Sequence, residues 1–238
     1  GVGEFWATRL NAAGEIVWQR YFGGTNNDRA HSVVQATDGG FVIAGFTESD
    51  DFDISESNGS YDFWGLKIDA KGDKVWERTY GGSGIERANA IEKTADNGYI
   101  IVGNSNSTDG MISNNHGSSD IWAVRINDAG KIEWERTYGG TDFEDAAHIV
   151  ATPEGNFLIT GNSKSNDNDL SENQGENDIW VLKINASGEV IWQKIMGTEG
   201  MDLGFGALQT NSGEQVFVCG EVENATNFTK DAVIINLK

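Results

Sequence analysis

Apolar and polar residues alternate with a period of two along many short runs of this chain. Glu15-Ile-Val-Trp-Gln-Arg-Tyr-Phe22 is one such run, with counterparts at residues 74–80, 132–138 and 190–196. Successive side chains of a strand point to opposite faces, so this pattern predicts half-buried β-strands. Denser apolar runs at residues 41–45, 99–103, 157–161 and 216–220 each end in glycine and predict a second set of strands. No stretch holds a helical period, and the reading is all-β with almost no helix.

The runs repeat in register. Trp18, Trp76, Trp134 and Trp192 stand 58 residues apart, as do Trp6, Trp64, Trp122 and Trp180. A fixed period of this length is the mark of a repeat architecture. Each unit reads as four strands, a to d. Strand a ends at a glycine pair (Gly23-Gly24, Gly81-Gly82, Gly139-Gly140), and strand b is expected to open at Ala30, Ala88, Ala146 or Gly204. Turns such as Thr37-Asp-Gly-Gly40 and Ala95-Asp-Asn-Gly98 have the chemistry of tight hairpins between b and c. A long polar loop leads from c to strand d, whose copies begin at Asp62, Asp120, Asp178 and Asp231.

A four-stranded unit cannot cover both of its own faces, and radial repetition covers each face with the neighbouring unit. The expectation is therefore one β-propeller domain over 1–238, with repeats at about 11–68, 69–126, 127–184 and 185–238. Residues 4–10 form an extra d strand. The fourth unit departs most, with Gly197-Thr198 in place of the glycine pair and Val233 in place of the strand-d tryptophan. Terminal repeats often diverge, so Lys238 is expected at or near a chain end.

Composition narrows the reading only slightly. The chain of 238 residues carries 31 glycines and one proline, as many tight turns require. A formal charge of −20 opposes contact with nucleic acid or an anionic membrane. No apolar run reaches the ~18 residues of a membrane span, and the opening Gly-Val-Gly-Glu has no signal-peptide pattern, as expected after removal of an export signal, a tag or a larger N-terminal part. The single cysteine, Cys219, lies in an apolar run that predicts a buried thiol.

Three strings carry a resemblance: Trp76-Glu-Arg-Thr-Tyr-Gly-Gly82, Thr37-Asp-Gly-Gly-Phe41 and Ser119-Asp-Ile-Trp-Ala-Val-Arg125. Recurring in register over the whole chain, they resemble the propeller repeats of secreted and surface lipoproteins of Bacteroidetes. The resemblance implies export to the cell surface or beyond, and a strand order b-c-d-a from the axis outward. With that order the chain holds five d strands but four each of a, b and c. It therefore predicts either four blades with a redundant strand or, preferred here, part of a larger propeller.

Two acidic patterns are candidate sites. In the c–d loops, Asp51, Asp53, Ser55 and Asp62, and likewise Asp167, Asp169, Ser171 and Asp178, occupy positions 1, 3, 5 and 12 of an oxygen-rich loop. That spacing suits Ca²⁺, although the glycine at position 6 is missing and the middle copy keeps only Asp109 and Asp120 as carboxylates. The competing reading has Asp62, Asp120 and Asp178 hydrogen-bonding the loop backbone.

The second pattern is the column Asp28, Glu86, Glu144 and Asp202. These carboxylates could ring a channel mouth as a ligand site, or cap the turn before strand b. The tryptophans recur too strictly for a sugar site and are assigned to packing between blades. Asp69-x-x-Gly72-x-x-x-Trp76 resembles the tryptophan-docking motif of quinoprotein propellers. His31, His116 and His148 fall in three different columns, and no nucleophile elbow or zinc signature is present. The sequence thus reads as a non-enzymatic extracellular binding or scaffold module presenting acidic loops to a protein or glycan, with Ca²⁺ as a candidate stabiliser. The alternative is a glycan-active hydrolase or lyase with its site at the channel mouth.

Overall fold

The computed structural model describes residues 3–170 and 172–237. Ser171 and Lys238, both singled out above, lie outside them. Among the described residues seventeen strands follow one another without a helix. The first two, β1 (Phe5–Leu10) and β2 (Ile16–Phe22), form a two-stranded sheet. Sheet I then joins β3 (Asp28–Gln35), β4 (Phe41–Thr47), β5 (Asp62–Ile68) and β6 (Lys74–Tyr80) in that order.

Sheet II repeats this order with β7 (Glu86–Lys93), β8 (Tyr99–Ser105), β9 (Asp120–Ile126) and β10 (Ile132–Tyr138). Sheet III has β11 (Glu144–Ala151), β12 (Phe157–Ser163), β13 (Asp178–Ile184) and β14 (Val190–Met196). Sheet IV has three strands, β15 (Leu203–Gln209), β16 (Val216–Glu223) and β17 (Lys230–Leu237). Every strand ladder is antiparallel, in the order b-c-d-a expected from the resemblance. Strands β3, β7, β11 and β15 touch in succession, so the b strands lie side by side along one edge of the stack. Among the described residues no ladder joins β1 or β2 to sheet IV, so strand pairing does not close the stack into a ring. Among the described residues no helix is long and apolar enough to cross a membrane.

Packing follows from the near-continuous apolar runs of strands c and d, whose successive side chains give each sheet two apolar faces. One face of sheet I places Ile43, Trp64 and Leu66 against Phe5 and Phe22 of the two-stranded sheet. Its other face places Val42, Ala44 and Phe63 against Ala88, Ile101 and Trp122 of sheet II. The next two junctions repeat the arrangement. Trp64, Trp122 and Trp180 are fully buried, with Phe5 on Trp64 and Phe63 on Trp122 at ring separations of 4.2 and 4.7 Å.

The strand-a tryptophans dock one repeat further on. Trp18, Trp76 and Trp134 donate their indole N–H to the carbonyls of Ala70, Asp128 and Ala186 in the next d–a turn. Gly72, Gly130 and Gly188 in those turns have φ of +84°, +77° and +79°, and a Cβ there would meet the indole at 3.0–3.1 Å. Glycine satisfies both demands.

Strand b opens earlier than the small residues suggested, at Asp28, Glu86 and Glu144. A parallel bridge just before each one (Gly3 with Asn27, Tyr61 with Ile85, Ser119 with Phe143) draws the chain into extended form two residues sooner. Cys219 is exposed, contrary to the buried thiol expected, because no further sheet covers that face of β16.

Candidate functional site

The turn from strand a to strand b brings the strand-b acids inward. Asp28, Glu86, Glu144 and Asp202 are all fully buried, so they do not line an open channel mouth. Each accepts main-chain and hydroxyl hydrogen bonds within its own turn and c–d loop. Asp28 takes the Gly24 N–H at 2.7 Å and the hydroxyls of Thr47 and Ser49 at 2.5 and 3.0 Å. Glu86 takes the Gly82 N–H at 2.8 Å and the hydroxyls of Ser105 and Ser107 at 2.7 and 2.6 Å. Glu144 takes the Gly140 N–H at 2.7 Å, the Ser163 hydroxyl at 2.7 Å and the Ser165 N–H at 3.2 Å. Asp202 accepts from the Thr198 and Glu223 N–H groups. The geometry is that of a turn cap, the other role weighed for this column.

The same turns receive the acids that open strand d. Asp62, Asp120 and Asp178 are fully buried, and one oxygen of each accepts a loop N–H, from Asn58 at 2.7 Å, His116 at 2.9 Å and Gln174 at 2.6 Å. The other oxygen, Oδ1 in each case, has no hydrogen-bond partner. It points at the glycine that ends strand a, as does an oxygen of the strand-b acid. A Cβ at Gly139 would stand 2.6 Å from Asp120 Oδ1 and 2.7 Å from Glu144 Oε2. Gly81 faces Asp62 with Glu86, and Gly197 faces Asp178 with Asp202, in the same way. The two acidic columns, read separately in the sequence, are thus paired across each junction. Burial pushes the Asp120 carboxyl up to about 6, with the neighbouring Glu144 charge adding to it. Asp62, Glu86 and Asp178 are also raised, each chiefly by burial.

The loop residues expected to bind Ca²⁺ with them are not gathered at the same place. Asp51, Asp109 and Asp167 accept the N–H of Thr25, Ser83 and Thr141 in the preceding turn at 2.8–2.9 Å. Asp53 accepts the Gly23 N–H and pairs with Lys74 at 2.7 Å, while Ser55 donates to Glu77. Asp169 accepts the Gly139 N–H at 3.1 Å. Among the described residues, no three His, Cys, Asp or Glu side chains converge as a metal site.

The sequence reading passed over a different cluster, at the start of the b strands. Arg87 lies over the rings of Tyr61 and Phe46 of sheet I, 5.0 and 5.7 Å from their centroids. His31 packs edge-on against Phe46 at 5.3 Å and donates to the Ala88 carbonyl at 2.9 Å. One junction further on, Asn89 donates to Asp145 at 2.9 Å and to the Ala146 carbonyl at 2.8 Å. Burial pushes the Asp145 carboxyl up to about 6, against the Asn89 hydrogen bond and the Arg87 charge. His31 and Asn89 are the bulged residues of β3 and β7, left unpaired in the ladder and free to reach the next sheet. The signal was legible. Next to the constant acidic column stands a variable one, Arg29, Arg87, Asp145 and Leu203. Residues that differ where the frame repeats are the ones released from packing.

No family model and no curated protein matches this chain. Among solved structures it is similar to an ACO/RPE65 chimera, with a TM-score of 0.45 and 11% identity over 99% of this chain and 56% of that one. A variant of the Synechocystis apocarotenoid oxygenase gives a TM-score of 0.46 at 13% identity, again over 99% and 56%. The chain therefore spans little more than half the length of the structures it matches.

Proposed function

We propose that the four repeats are blades of a β-propeller serving as a non-enzymatic extracellular binding module for a protein or glycan partner. The observation that carries this reading is the contrast between its two sets of polar residues. The repeated carboxylates are buried and engaged in turns, whereas the residues that break the repeat gather at the start of the b strands. There Arg87, Tyr61, His31, Asn89 and Asp145 combine an aromatic face, a guanidinium stacked over it, and amide and carboxyl groups. Such a mixture suits recognition of a polar ligand surface. The uncovered apolar faces of the end sheets are where further blades would pack.

The test is a glycan array probed with the labelled chain beside a Y61A/R87A double variant. The expected result is a small set of hits that the double variant loses. Hits equally strong with the variant would place recognition elsewhere, and a blank array would leave only the protein partner. Turnover of any glycoside by the wild-type chain would overturn the non-enzymatic reading.

A further inference from the structure

We propose that three junctions between sheets each hold one proton shared by two buried carboxyl groups, Asp62 with Glu86, Asp120 with Glu144 and Asp178 with Asp202, making the packing of the sheets pH-sensitive. At the central junction, Glu144 Oε1 accepts from Ser163 and Ser165, Glu144 Oε2 accepts from Gly140, and Asp120 Oδ2 accepts from His116. Only Asp120 Oδ1 is left without a partner, buried, and aimed at the point where Glu144 Oε2 also arrives. The unpartnered oxygen recurs at Asp62 and Asp178. Two buried anions facing each other repel strongly, whereas one proton on Oδ1 donates to the facing oxygen and satisfies both.

A metal ion fits less well. Calcium wants six to eight oxygens, and here two face the gap, one of them already accepting a main-chain N–H. Among the described residues no lysine or arginine is bonded to any of the six carboxyls. The charged groups nearest the central pair are His116, whose Nδ1 lies 3.1 Å from Asp120 Oδ2, and Asp169, which reaches Gly139 from the c–d loop. Asp62 meets Ser57, Asn58, the Gly59 backbone and Glu86, with Asp109 behind Gly82. Asp178 meets the Gln174 N–H and Asp202, which Thr198 also holds. The fourth junction has the same arrangement at Gly23, where Glu4 meets Asp28, but Glu4 is exposed and stays hydrated.

The direction with pH follows. An unfolded carboxyl titrates near 4, and the folded pair keeps its proton to a higher pH, about 6 for Asp120. The stabilisation is therefore complete below about pH 4 and lost as pH rises through the folded value.

The experiment compares thermal melting of the wild-type chain and a D62N/D120N/D178N variant from pH 5 to pH 8, with EDTA or 1 mM Ca²⁺. Each asparagine offers an N–H where the proton would stand. The wild-type Tm is expected to fall by about 5 °C or more over this range, at roughly 3 °C for each kcal/mol lost. The variant should lose at least half of that dependence and melt at or above the wild type at pH 8. Calcium should change neither chain. An unchanged slope in the variant would overturn the proposal, as would a Ca²⁺-induced rise in Tm seen only in the wild type. Should the variant not fold, carbonyl NMR titration of the wild type decides instead. Three carboxyls protonated well above pH 5 are expected, and six titrating near 4 would refute the shared proton.

Discussion

Trp6 and Trp122 occupy the same column of the repeat, yet Trp6 is 61% exposed and Trp122 is 0% exposed. Their strands, β1 and β9, have closely similar sequences and both pair with a strand a. What differs is the neighbourhood. β9 sits inside a four-stranded sheet with another sheet on each side, whereas β1 belongs to a two-stranded sheet covered on one side. The other end behaves alike, with Phe205 and Ile234 of sheet IV at 53% and 79% exposed. One sheet of this repeat thus has two apolar faces and cannot stabilise itself. Its burial is a property of the junction.

Substitutions at matched positions should expose this difference. The largest effect is expected for Trp122→Ala, which removes a fully buried indole and should cost about 4 kcal/mol, against under about 1 kcal/mol for Trp6→Ala. Urea denaturation of the two variants checks this, and equal losses would break the comparison. A smaller gap is expected for the glycines that face the acid pairs. Gly139→Ala drives a methyl into two buried carboxyls and should cost about 3 kcal/mol by overpacking. Gly23→Ala should cost about 2 kcal/mol, less than Gly139→Ala because the exposed Glu4 can move aside while the buried Asp28 carboxylate still meets the methyl.

The smallest gap concerns ion pairs. Lys67, with a side chain 4% exposed, bridges Asp38 in its own sheet and Asp128 of the next at 2.8 and 2.7 Å. Both aspartates stay about half exposed, so Lys67→Met should cost only about 1 kcal/mol. Lys230, on the end sheet and 43% exposed, pairs with Glu221, and Lys230→Met should fall within about 0.5 kcal/mol of the wild type. The same urea titrations resolve both.

Much of the frame was legible in the chain. The Gly-Gly pair marked the turn after strand a, and the structure explains both residues. The first glycine clears the acid pair, and the second clears a serine of the c–d loop, Ser49, Ser107 or Ser165. The fourth unit keeps the first as Gly197 and replaces only the second with Thr198, whose hydroxyl bonds the Glu223 carbonyl instead. Less legible were the partners. Asp62 and Glu86 stand 24 residues apart, as do Asp120 and Glu144, Asp178 and Asp202, and Glu4 and Asp28. A constant offset between two acidic columns hinted at a contact, but an EF-hand-like spacing within one loop drew Asp62 toward Asp51 and Asp53 instead.

The chain by itself determined its strands and the register of their repeat, because apolar runs, period-two alternation and turn chemistry act over a few residues, whereas the order of strands within a sheet was implied only by the family resemblance. Tertiary structure alone decided which polar groups meet. Asp62 joins Glu86 because strand d of one sheet runs against the turn that enters the next, a contact no local spacing encodes. It also decided which tryptophans are buried, since burial needs a second surface. Asp120 is held near neutrality by the same cause, a neighbouring sheet that removes water from its carboxyl and places another carboxyl opposite.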